Sequence, residues 1–213
     1  MNDQKQTRLR LILSIAAGLA VATIATIVAW WSIAPSRGIR PQQSYTQYVL
    51  EDIRYAIREY RTQTNAIPQQ LEDSPMLGEK YWSRFDDERR LLDGWQRPFD
   101  YSTDGKNYAV TSFGRDGKPG GFGLNHDLTS ANPYPHDAIP TFAQFIGDCP
   151  TQGIVGTCIF AGSITSVLCW FLAKPAQLTR PNLFRLAGRI VATVIGAIIV
   201  AMCLAGAHIP SGH

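Results

Sequence analysis

Asp116 and Asp127 bracket four glycines, Gly117, Gly120, Gly121 and Gly123, together with Asn125. Two carboxylates and a side-chain amide oxygen, with little side chain around them to build a core, suit oxygen ligation of a hard cation. Calcium takes about six to eight such oxygens. Ligands this close in sequence require tight, partly left-handed backbone, which glycine adopts without a Cβ penalty. The stretch is not an EF-hand, because the D-x-[DN]-x-[DN]-G pattern is absent. It brushes the calcium-binding nonapeptide repeat, but a single copy cannot stack into that solenoid. The alternative is a glycine-rich loop held by hydrogen bonds alone.

Other chemistry-bearing residues are weaker candidates. The dipeptides His126-Asp127 and His136-Asp137 lie in loops among prolines, without the tight His/Cys pairs of a zinc site. They read as surface histidines, with His126 available as a further contact to the loop. Of the cysteines, Cys169 and Cys203 fall in apolar runs, where the thiol acts as a small apolar group. Cys149 and Cys158 would sit close to a membrane surface. A bridge between them is open by compartment but geometrically unfavourable if an apolar helix starts at Gly153. Trp82 and Trp95 could face a sugar or peptide, and packing is the simpler reading. No nucleophile–base constellation is visible, so no catalytic residue is expected.

The loop needs elements to hold it. Before it, Phe99 and Tyr101, then Tyr108 and Val110, alternate with polar neighbours as half-buried strands do. Asp104-Gly105 supplies the turn between them. Further upstream Tyr45, Val49, Ile53, Ala56, Ile57 and Tyr60 recur at helical spacing. They predict one amphipathic helix from about 43 to 64, stopped by Asn65 and Pro68. Residues 69–92 look irregular, with Tyr81, Trp82 and Phe85 as core contacts and the DDERR run at 86–90 as a solvated face. Residues 132–150 carry four prolines and read as a linker.

The stretch WQRPFDYSTDGKNYAVTSFGRDGKPGGFGLNHDL resembles the C-terminal part of the major pseudopilin of bacterial type II secretion. The matching positions are Asp93, Trp95, Pro98, Phe99, Tyr101, Tyr108, Val110, Ser112, Gly114, Asp116, Gly117, Gly120, Gly121, Gly123, Asn125, Asp127 and Leu128. The resemblance covers about a third of the chain. It implies a small α+β fold, an extracytoplasmic location and a calcium site in this loop. Carried over residue by residue, it makes Asp116 and Asp127 carboxylate ligands, Asn125 an amide ligand, and Phe113 and Lys118 carbonyl ligands. Phe122 stands where family members often carry an acid, which removes charge from the site. The pilin-type leader, Gly-Phe-Thr-Leu-[IV]-Glu, is absent from the N-terminal run, and this argues against a filament subunit.

Three apolar runs frame the rest. Residues 11–33 and 153–173 carry no charge and are long enough to cross a hydrocarbon core of about 30 Å. A third run, 190–207, is shorter but can borrow a turn from 183–187. Small residues in the second and third runs suggest that those two pack as a hairpin. The whole chain carries a net charge of +3. That balance divides into +6 on residues 1–10 and 174–189 and −3 on the segment between the first two runs. By the positive-inside rule the basic pieces are cytoplasmic and residues 35–148 lie outside. Because the positive charge sits beside the spans, it carries no argument for nucleic acid, and no nucleic-acid partner is expected.

The expected fold class is α+β: one amphipathic helix packed on a small antiparallel sheet with a calcium loop, plus three transmembrane helices. The expected protein is non-enzymatic, in the bacterial inner membrane with its main domain periplasmic. Its expected partners are the lipid bilayer and secretion or envelope proteins, or further copies of itself. A pseudopilus subunit with an atypical leader and an envelope enzyme are the alternatives.

Overall fold

The computed structural model describes residues 3–147 and 149–172, with isolated positions at 188, 191, 192, 195, 196 and 199. Apart from those positions, the 174–189 loop and the third apolar run, 190–207, lie outside the described residues. The elements are α1 (Asp3–Ile33), α2 (Pro41–Thr64), α3 (Pro75–Lys80), β1 (Asp100–Thr103), β2 (Tyr108–Ser112), β3 (Leu128–Thr129), α4 (Phe142–Gly147) and α5 (Cys149–Leu172). They divide into two units, one made of residues 1–34 and 145–213, the other of 35–144.

In the first unit α1 and α5 are both long and apolar enough to cross a membrane, over Gln4–Ile33 and Thr151–Phe171. Both begin before the expected runs. α1 continues back through its basic end, and α5 starts ahead of Gly153. They pack antiparallel along narrow stripes. Ser14, Gly18, Val21, Ala25 and Ala29 are buried on α1, facing Ile154, Cys158, Gly162, Thr165 and Cys169 on α5. The backbones are closest where glycine meets glycine. A Cβ at Gly18 would lie 2.6 Å from the Gly162 carbonyl oxygen, and one at Gly162 would lie 2.5 Å from that of Gly18. Small residues permit such an approach where the surroundings are too apolar to drive helices together. Ser14 and Thr26 donate to the carbonyls of Arg10 and Ala22 one turn back, so neither hydroxyl is stranded.

The expected hairpin of the second and third runs needs 190–207 and so lies outside the described residues. The Gly162 face of α5 is taken by α1, whereas Gly156 meets nothing within 4 Å. Cys158 and Cys169 are free and buried on that face.

In the second unit α2 begins with Pro41 at its first turn, where a missing N–H costs nothing. It ends on Asn65 in the left-handed region (φ 57°), whose N–H caps the Arg61 carbonyl. Pro35 stands in the stretch of chain between α1 and α2. Val49, Leu50, Ile53, Ala56 and Ile57 form its apolar stripe, on which Leu77, Leu91, Phe99, Val110 and Leu128 pack. Leu50, fully buried, extends the stripe beyond the positions expected from periodicity, and Tyr60 is only half-buried. The sheet is antiparallel in the order β1-β2-β3, with Tyr101 opposite Val110 and Ser112 opposite Leu128.

Residues 69–92 hold more regular structure than expected. They contain two 3-10 turns, at Leu71–Asp73 and Trp82–Arg84, around α3. Tyr81 is in the core, and its hydroxyl donates to Asp52, which also pairs with Lys80 at 2.6 Å. Burial, then that hydrogen bond, push the Tyr81 phenol above its ordinary pKa. Phe85 is half-buried, but Trp82 is not a core contact at all, being 78% exposed. In the DDERR run Arg90 pairs with Asp86 and Glu88, as a solvated face would.

Candidate metal loop

The glycine loop is anchored at a buried acid upstream of it. Asp93 is 1% exposed and accepts from the Trp95 and Arg97 backbone N–H groups at 2.8 and 3.0 Å. Its other oxygen accepts from the Ser112 hydroxyl at 2.6 Å, which ties the tryptophan turn to the end of β2. Gly94 beside it leans on α2: a Cβ there would lie 2.0 Å from the Gln42 carbonyl oxygen. Its N–H donates to the Thr46 hydroxyl at 2.9 Å. The residues of D-G-W thus dock the hairpin on the helix.

From there Arg97 reaches across. Its guanidinium donates to the Gly114 carbonyl at 2.7 Å and to that of Arg115. Gly114, Gly117, Gly120, Gly121 and Gly123 all have φ between 59° and 92°, as the glycine pattern leads one to expect. At Gly121 a Cβ would also strike the Asn125 carbonyl oxygen at 2.6 Å, so the loop closes on itself. The Arg115 N–H donates to the Leu124 carbonyl at 2.8 Å across that closure.

The two acids expected as ligands fall on the same short strip of backbone. Asp116 accepts from the Lys118 N–H at 3.2 Å, and Asp127 accepts from the Gly120 N–H at 2.8 Å. Asp127 spends only Oδ2 on that bond; Oδ1 is buried and has no hydrogen-bond partner. A buried carboxylate oxygen without a donor is costly unless a cation meets it. Phe113 offers a carbonyl that accepts a long bond, 3.2 Å, from the Gly117 N–H. Arg97 already occupies the carbonyls of Gly114 and Arg115. Asn125, half-buried, is the last residue of the 3-10 turn Gly123–Asn125. The donor set is all oxygen, which suits calcium and not a softer metal. Among the described residues no group of three or more His, Cys, Asp or Glu side chains gathers, in this loop or elsewhere.

His126 lies against the loop, its Nδ1 3.1 Å from the Gly121 carbonyl oxygen. His136 and Asp137 are exposed in a 3-10 turn. Sequence reasoning missed Gln144. Its Oε1 accepts from the Leu124 and Thr141 N–H groups, both at 3.1 Å, and its Nε2 donates to the Phe122 carbonyl. This side chain closes the loop from the far side, and nothing in the proline-rich 132–150 stretch signals it. That stretch is structural rather than a free linker. Ala138 is wholly buried, and its carbonyl accepts from the buried Gln43 side chain at 2.8 Å.

The 35–144 unit is thus an α+β domain in which one long helix carries a three-stranded antiparallel sheet and a glycine-rich loop. Residues 38–131 match the family model described as Type II secretion system (T2SS), protein G. The matched segment is less than half of the chain. The family is structural rather than catalytic. Neither a curated protein nor a solved structure matches the chain.

Proposed function

We propose that this chain is a non-enzymatic inner-membrane protein that displays its type II secretion protein G domain in the periplasm, as an accessory in secretion or envelope assembly. The family match over 38–131 carries the reading. The two apolar helices α1 and α5 support membrane anchorage, and the charge split supports the orientation. The pairing of α1 with α5 favours an accessory over a filament subunit. Packing α1 among copies of itself through its small-residue face would require displacing α5.

The loop, on this reading, is held by calcium through Asp116, Asp127, Asn125 and the carbonyls of Phe113 and Lys118. The cation neutralises two carboxylates and meets the stranded Asp127 Oδ1, so it stabilises the domain instead of doing chemistry. Stability then rises as RT ln(1 + [Ca²⁺]/Kd), about 2.7 kcal/mol at a hundredfold excess. With Phe122 where an acid would add charge, a Kd in the weak extracytoplasmic range, ~10⁻⁴–10⁻³ M, is expected.

The test is amide hydrogen exchange of the full chain in lipid nanodiscs, in millimolar calcium against chelator. Protection of residues 113–127 should rise with calcium, much less with magnesium, and not at all in Asp116→Ala. Exchange indifferent to calcium in the parent would sink the metal site and leave a loop closed by hydrogen bonds. The anchorage and the family assignment would survive that result.

A further inference from the structure

An unassigned group of basic and aromatic side chains lies in the segment that joins α1 to α2. The Arg37 guanidinium is stacked between two tyrosine rings, 4.9 Å from the centre of Tyr48 and 5.1 Å from that of Tyr134. It also donates to the Tyr48 hydroxyl. Three residues on, Arg40 donates to the Gln43 side chain at 3.1 Å and to the Pro35 carbonyl at 2.9 Å. Its Nε is buried and has no acceptor. Neither arginine forms an ion pair among the described residues. Donors on both guanidiniums are therefore left over.

We propose that Arg37, held between Tyr48 and Tyr134 and joined by Arg40, binds the phosphate of an anionic phospholipid headgroup. The proposal rests on the membrane anchorage argued above, but not on which side of the membrane the domain faces.

Chain reach places the group at the headgroups. Arg37 follows the last residue of α1, Ile33, by four positions, so it lies within about 14 Å of that helix end at full extension. The 3-10 turn at Arg37–Ile39 shortens the path, and Arg40 folds back onto Pro35, two positions past the helix. The polar layer of a bilayer, about 5–8 Å deep on each side, falls within that reach. Trp31, 79% exposed at the end of α1, is of the kind that settles at a membrane interface.

Phosphate is the ligand that fits. A guanidinium offers five donors in a planar fork that matches phosphate oxygens two at a time. Two tyrosine rings restrain the Arg37 fork, and the residue remains exposed. Burial, and then the neighbouring Arg37 charge, lower the Arg40 pKa, a cost that an anion would relieve. Tyr48 and Tyr134 are 49% and 38% exposed, so their rings can reach the interface while bracing the arginine.

The test is native mass spectrometry of the full chain released from nanodiscs of phosphatidylglycerol and phosphatidylcholine. The parent should retain phosphatidylglycerol in preference. Arg37→Gln should lower that retention about tenfold, the scale of one charge-assisted contact. Arg37→Lys should restore part of it, and Arg8→Gln, at the opposite end of α1, should leave this component unchanged. Should Arg37→Gln unfold, Tyr48→Phe, which keeps the ring and removes the hydroxyl, must still weaken retention. Equal retention in the parent and in folded Arg37→Gln overturns the proposal. Retention of inorganic phosphate at millimolar concentration without lipid overturns it too, in favour of a free-anion site. Release of the chain from membranes by alkaline carbonate would overturn the anchorage itself, a different failure.

Discussion

At the residue scale, Asp93 holds the domain together more than either loop acid does. It is almost wholly buried, and its carboxylate accepts from two backbone amides and one hydroxyl. Asp93→Ala leaves those donors without an acceptor, at a cost of about 3 kcal/mol or more. The loss should appear in hydrogen exchange as unprotected Trp95 and Arg97 amides. Asp104, by contrast, is fully exposed. The Asn107 backbone N–H, then its side-chain amide and the Lys106 N–H, hold this carboxyl below the usual carboxylate range. A depressed pKa means that its support of the hairpin is present above the unfolded value and is lost as pH falls through the folded one. The Lys106 and Asn107 amide resonances should therefore titrate below the usual carboxylate range. Asp104→Asn should remove that titration without unfolding the domain.

At the scale of elements, two close approaches set the geometry, and both depend on glycine. Where Gly94 meets α2, a methyl group has no room, and Gly94→Ala should cost about 1–3 kcal/mol by forcing the tryptophan turn off the helix. Where α1 crosses α5, Gly162→Leu should part the helices, since even its Cβ would meet the Ala22 Cβ at 2.7 Å. Gly156→Leu, with open space around it, is the control. The crossing can be followed with Thr26→Cys, because Thr26 lies against Cys158. Oxidation should hide both thiols from maleimide in the parent background and in Gly156→Leu, and fail in Gly162→Leu.

At the scale of the molecule, orientation is the property to measure. Ser102 is exposed on β1, far in sequence from either apolar helix, so Ser102→Cys should fold normally. A membrane-impermeant maleimide should label it in intact spheroplasts, above the level of the parent chain. Labelling only after lysis would place the 35–144 unit in the cytoplasm and reverse the proposed orientation.

Much of this was legible from the residues alone. Hydrophobic periodicity marks α2, alternation marks β1 and β2, and apolar length marks α1 and α5, because each is a local pattern. The five left-handed glycines from Gly114 to Gly123 likewise reflect backbone conformation, which a residue carries with it. Trp82 shows the limit. Its type says core, yet the turn after α3 leaves it in solvent, since burial depends on what lies opposite and not on the side chain itself. Gln144 shows the same limit from the other side: it reaches the Leu124 amide across 20 positions of chain. No spacing rule connects residues that only the folded path brings together. That α1 takes the Gly162 face of α5 was not legible for the same reason. Small residues announce that a helix can be approached closely, and they do not say by which neighbour. The tertiary structure alone put Gly18 against Gly162, left Asp127 Oδ1 without a donor, and set Arg37 between two tyrosines.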